Sequence, residues 1–178
     1  NKMNLGGIYI HFPFCTSKCI YCDFYSLTNQ ESNIDYFIKS LCKEIKITAQ
    51  ATRQNWKIDT LFIGGGTPSL LSVNHLNKNN KNLDKNFDLS YLDEFTIESN
   101  PGEFSIDKMN QFKSIGVNRI SLGFQSLDDT ILKSLSRWHL SKDCIESYNN
   151  ARKVGFENIN IDMMFGAPNQ TTNQWEKD

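Results

Sequence analysis

The sequence predicts an α/β fold, an incomplete parallel β/α barrel truncated after about five strands. Two observations carry this expectation. Short apolar runs of strand character alternate with longer amphipathic stretches, and repeating βα units imply parallel strands joined by right-handed crossovers. Residues 171–178 then follow a strand and a turn and read as the opening of a further helix, where the chain stops. The sequence is therefore expected to be a fragment of a longer protein, with the closing strands and a C-terminal domain absent.

Taken in order, the first strand is expected at 7–11. A helix follows, because Ile34, Phe37, Ile38, Leu41, Cys42 and Ile45 fall on one face at a 3.6-residue period. The second strand is placed at 60–63 and the next helix at 72–85. Within that helix, the asparagine- and lysine-rich run 77–82 is expected to be a solvated face. A strand at 94–98, a helix at 106–114 and a strand at 119–122 come next. Helices at 128–135 and 141–154 lead to the last strand, 158–164. In barrels of this kind chemistry sits on the βα loops at the C-terminal ends of the strands, and each distinctive motif of this chain lies there.

A length of 178 residues makes roughly one domain. The net charge of −1 gives no general basic field for nucleic acid. No N-terminal apolar run resembles a signal peptide, and no stretch is long enough for a membrane span. Five cysteines, unevenly placed, do not make a disulfide framework. Free thiols of this kind belong in a reducing setting, so a cytoplasmic location is expected.

The most informative residues are Cys15, Cys19 and Cys22, a CxxxCxxC triplet following the first strand. Three thiolates within eight residues can converge on one inorganic centre without long-range folding. A closed zinc site and common 4Fe–4S proteins both take four protein ligands, so a cluster held by three leaves one iron open. Zinc with a distant fourth ligand remains the alternative from these residues alone. Cys42 and Cys144 lie on apolar helix faces and are expected to be small buried hydrophobes.

Four more strand ends carry polar chemistry. Gly64-Gly65-Gly66-Thr67-Pro68 lets backbone groups approach a ligand with no Cβ in the way, and it is not a phosphate loop, because GxxxxGK[ST] is missing. Glu98 closes an otherwise apolar strand, where an unpaired carboxylate is costly. It is suited to accept hydrogen bonds from ribose hydroxyls or an ammonium group. Gln125 and Asp162 hold similar positions, and Arg137 is a candidate carboxylate-binding guanidinium.

Together the strings YIHFPFCTSKCIYCDF, FIGGGTPS, IESNP, GVNRISLGFQS, LSRWH and INIDMMFGAPNQT resemble the oxygen-independent coproporphyrinogen III oxidase-like family of radical S-adenosylmethionine proteins. The resemblance runs in order over nearly the whole chain. It implies a radical S-adenosylmethionine core domain spanning 1–178, a 4Fe–4S cluster and bound S-adenosylmethionine. Carried onto matching positions, it makes Cys15, Cys19 and Cys22 the cluster ligands. It places Tyr9, Tyr21, Gly65, Gly66, Thr67, Glu98, Gln125, Arg137 and Asp162 around the cofactor.

Two departures from the oxidase pattern favour the haem-chaperone branch of that family. The oxidase motif continues past its third cysteine with Gly-Cys, where this chain has Asp23-Phe24, and only six residues precede the expected first strand. The implied partners are haem, haem-acceptor proteins and an electron donor. The competing expectations are a porphyrinogen-oxidising or other radical enzyme, and a zinc-binding module.

Overall fold

In the computed structural model, which describes residues 5–52 and 56–178, the first strand β1 (Leu5–Phe12) sets the pattern for the rest. Successive strand side chains point to opposite faces. Ile10 and Phe12 are buried, while Tyr9 on the other face is 58% exposed. Residues 1–4, most of the short lead-in, lie outside the described residues.

Two two-residue strands, β2 (Phe14–Cys15) and β3 (Leu27–Thr28), pair in parallel and pinch the loop between them at its base. The sequence reading missed them. Helix α1 (Ile34–Ala51) buries Ile34, Ile38, Leu41 and Ile45, the stripe expected from the period. β4 (Lys57–Gly65) extends the expected strand at both ends. α2 (Val73–Asn86) is started by Ser72, whose Oγ accepts from His75 N while His75 Nδ1 accepts from Ser72 N. This satisfies two otherwise orphaned donors, with His in place of the usual Glu or Gln.

β5 (Glu94–Ser99) and α3 (Ile106–Ser114) follow as expected, so Glu98 is the penultimate strand residue. β6 (Arg119–Gln125) leads to α4 (Asp129–Ser134), which starts one residue later than expected because Asp128 is its cap, accepting from Thr130 N and Ile131 N. α5 (Ser141–Val154) ends at Gly155, whose φ of 91° suits a residue without Cβ. β7 (Asn158–Met163) and α6 (Thr172–Lys177) complete the described elements.

The long strands form one parallel sheet in the order β1-β4-β5-β6-β7, which is also chain order. Such an arrangement is an arc of a β/α barrel. One face carries Ile10 and Phe12, Leu61 and Ile63, Phe95 and Ile97, and Ile120 and Leu122. These join the buried stripes of α1, α2, α3 and α5 in a single core. The opposite face is predominantly polar and includes Glu98, Arg119, Ser121 and Asp162.

Two expectations need correction. The run 77–82 is not wholly solvated: Asn79 is buried on α2, which packs against α1, and its Oδ1 lies 3.8 Å from Cys42 Sγ. Cys42 is half-buried at that seam rather than sunk in the core, whereas Cys144 is fully buried as expected.

Candidate functional site

The cysteine loop is built to be held from below. Leu27 N donates to Pro13 O at 2.6 Å, closing the loop at its base. Within it, Cys22 N donates to Cys19 O at 3.1 Å, and Lys18 Nζ bridges Phe24 O and Ser26 Oγ at 2.8 and 2.9 Å. The glycine-rich turn after β4 docks against the same segment. Gly66 N donates to Phe12 O and Thr67 N to Phe14 O, both at 2.7 Å. A Cβ on Gly66 would stand 2.5 Å from Phe14 O, so only glycine permits this approach.

All three thiols, Cys15, Cys19 and Cys22, are free and half-exposed. Burial pushes the Cys15 thiol above its ordinary range, and hydrogen bonding with Thr67 and Ser26 works against that rise. Among the described residues, no three His, Cys, Asp or Glu side chains close on a single metal ion. A 4Fe–4S cluster makes a different demand, since each thiolate takes its own iron. Three free thiols on one braced loop fit that donor set, with one iron corner left to an exogenous ligand.

Glu98 lies beside the glycine turn. The Gly65 N–H donates to Glu98 Oε2 at 2.9 Å. Burial raises the Glu98 pKa above the usual carboxylate range; the Gly65 hydrogen bond opposes the rise, and the negative charge of Asp162 adds to it. Tyr9 is on the same sheet face, with its hydroxyl 3.0 Å from His11 Nδ1. Its phenol is also raised, by burial first and then by Glu98. Asp162 is exposed and accepts from Ser121 Oγ at 3.2 Å and Asn160 Nδ2 at 2.8 Å, touching none of the other expected site residues by hydrogen bond.

A second group gathers on Arg137. Its Nη1 donates to Cys19 Sγ at 3.3 Å and lies 3.5 Å from the Tyr21 hydroxyl. Its Nη2 donates to Asn100 Oδ1 at 2.5 Å and to Gly123 O at 3.0 Å, and lies 3.4 Å from His139 Nδ1. The Tyr21 phenol is pushed up to about 12 by burial, against the pull of the guanidinium. Arg137 Nε is buried without a hydrogen-bond partner. Gln125 ends β6 at a register shift with φ 70°, a left-handed conformation that costs a non-glycine residue energy.

The structure thus brings Cys19, Tyr21 and Arg137 into one cluster, Gly65 and Glu98 into another, and links Thr67 to the first through Asn100 Nδ2 at 3.2 Å. Asn100, Glu103 and His139 were not singled out from sequence. His139 is fully buried, with Nε2 3.1 Å from Phe124 O. Burial and the Arg137 charge hold its pKa down to about 4, so it is neutral at physiological pH. The LSRWH and IESNP strings contained His139 and Asn100, but Phe124 lies 15 residues from the first and Arg137 lies 37 residues from the second.

The parallel arc with a cysteine loop after its first strand places the chain in a recognisable class. It belongs to the Radical SAM superfamily, which it matches over residues 9–178. It is 42% identical to the heme chaperone HemW of Bacillus subtilis (strain 168) across 97% of its own length and 45% of that protein. With the heme chaperone HemW of Lactococcus lactis subsp. lactis it shares 38% identity over 97% of its length and 44% of the relative. The chain therefore spans a little under half the length of these relatives. Among solved structures, the radical SAM coproporphyrinogen III oxidase HemN of Escherichia coli superimposes with a TM-score of 0.88 at 29% identity, over 99% of this chain and 40% of that one.

Proposed function

We propose that residues 1–178 are the radical S-adenosylmethionine core of a haem chaperone similar to HemW. Cys15, Cys19 and Cys22 hold a 4Fe–4S cluster in this reading. The observation that carries it is the braced loop with three free thiols, docked on the Gly66–Thr67 backbone and touched by the Arg137 guanidinium. When bound, the cluster supplies an electron to S-adenosylmethionine, and the protein's part is binding and orientation.

Glu98 accepts from hydroxyl or ammonium groups of that ligand, and Gly65, Gly66 and Thr67 bring backbone groups close to it. Arg137 offers its charge to the ligand carboxylate, while Tyr9, Tyr21, Gln125 and Asp162 line the remainder. The whole protein takes haem and passes it to acceptor proteins, with an electron donor serving the cluster, in the cytosol. Among the described residues no helix is long and apolar enough to cross a membrane.

The likeness to HemN supports one second reading, oxidation of coproporphyrinogen III. Asp23-Phe24, in place of the oxidase's Gly-Cys, weighs against it.

The test is anaerobic reconstitution of the whole protein, followed by iron and sulfide analysis and a haem titration. About four irons per chain and a saturable Soret shift are expected. A single zinc would overturn the cluster, and turnover of coproporphyrinogen with S-adenosylmethionine and a reductant would move the protein to the oxidase reading.

A further inference from the structure

Asn100 stands where three segments of the site meet, and its amide faces opposite charges at its two ends. Oδ1 accepts from Arg137 Nη2 at 2.5 Å. Nδ2 donates to Glu103 Oε2 at 2.9 Å and to Thr67 Oγ1 at 3.2 Å. The other Glu103 oxygen accepts from Thr16 Oγ1 at 2.7 Å. Arg137, in turn, donates to Cys19 Sγ at 3.3 Å. Two chains of hydrogen bonds therefore leave one amide and return to the cysteine loop three residues apart, at Thr16 and at Cys19.

The chemistry fixes which way the amide points. A guanidinium only donates and a carboxylate only accepts, so Oδ1 must face Arg137 and Nδ2 must face Glu103. A short amide is suited to join this cation to this anion. A carboxylate at position 100 would set two acceptors against each other on the Glu103 side, and an apolar residue would leave both ionised partners unsatisfied.

We propose that Asn100 is a positioning residue that clamps the cysteine loop at two points, Thr16 through Glu103 and Cys19 through Arg137, and so sets the spacing of the three thiols. The clamp is relevant to iron only if the loop holds the cluster proposed above. The geometry itself exists without metal and is tested without it.

The experiment is hydrogen–deuterium exchange on the cluster-free whole protein, followed at residues 15–26. Asn100→Asp should speed exchange in that loop by roughly threefold or more while amides of α3 and α5 keep their rates. Asn100→Asp combined with Glu103→Gln restores donor–acceptor alternation. The new carboxylate still accepts from Arg137, and the new amide donates to it while accepting from Thr16. The double variant should return the loop to wild-type exchange.

A residue needed only for folding would not be rescued in this way. Unchanged loop exchange in Asn100→Asp, or no recovery in the double variant, overturns the clamp. If Asn100→Asp also loosens α3 and α5, Thr16→Val decides instead: this exposed substitution removes one leg, and unchanged loop exchange there overturns the proposal. Iron analysis of the wild-type protein is read separately. Rescue without any iron binding keeps the clamp and discards the cluster reading.

Discussion

Gly65 and Glu98 are joined across neighbouring strands: the Gly65 N–H donates to Glu98 Oε2 at 2.9 Å, and a Cβ on Gly64 would come within 2.8 Å of the same oxygen. The carboxylate is thus held at a strand end by a backbone donor, in space that the missing Cβ of Gly64 keeps open. Its burial raises its pKa, so the fold holds the charged form at a cost.

Glu98→Gln should therefore have opposite effects on binding and stability. Loss of a charge-assisted contact, about 1.5–3 kcal/mol, should weaken S-adenosylmethionine affinity by calorimetry while the cluster's visible absorption stays unchanged. The same substitution should raise the thermal midpoint at neutral pH. A raised folded pKa means that stability falls as pH climbs from the ordinary carboxylate value to the raised one. The gain should accordingly vanish below about pH 4, where the unfolded carboxyl is also protonated. Unchanged affinity would return Glu98 to a structural role.

Cysteine substitutions should sort by position. Cys15→Ala, Cys19→Ala and Cys22→Ala should each abolish a stable cluster, as read by iron content after anaerobic gel filtration. Cys42→Ala and Cys144→Ala should retain it, because Cys42 sits at the α1–α2 seam beside Asn79 and Cys144 in the core. Iron loss in Cys42→Ala equal to that in Cys19→Ala would contradict this assignment.

His139 should make the fold sensitive to acid. Its pKa is depressed from 6.5 to about 4, so folding strongly prefers the neutral ring. As pH falls from about 6.5 toward 4, the unfolded chain takes up a proton that the native chain refuses, and stability is lost. The full effect is on the order of 3 kcal/mol. Urea midpoints of the wild type should drop across that window, and His139→Gln should flatten the drop. Parallel curves for the two proteins would rule the imidazole out as its source.

Gln125 offers a comparison of backbone and side chain. With φ at 70°, Gln125→Gly should be more stable than Gln125→Ala by about 1 kcal/mol, since only glycine adopts that conformation freely. Both variants lack the amide, so both should bind S-adenosylmethionine equally weakly. Equal urea midpoints would show that the left-handed conformation is not under strain.

The long strands were legible because each is an apolar run between amphipathic helices, a pattern set by local periodicity. β2 and β3 were not, because a two-residue strand owes its existence to the approach of Pro13 and Leu27 rather than to its composition. The burial of Asn79 was hidden for a related reason. Its polarity points outward, and only the packing of α2 on α1 turns it inward. The thiol triplet and the glycine turn announce themselves by spacing. Asn100 reaches Arg137 across 37 residues and His139 reaches Phe124 O across 15, and such partnerships leave no local pattern.

The division between the sheet's two faces bears on how proteins of this shape diversify. Ile63, Phe95 and Leu122 contribute to folding on the side that meets the helices, while Tyr9, Glu98 and Asp162 stand on the other. Drift on the second side leaves the first intact. A lineage built this way can change its trade without relearning how to fold.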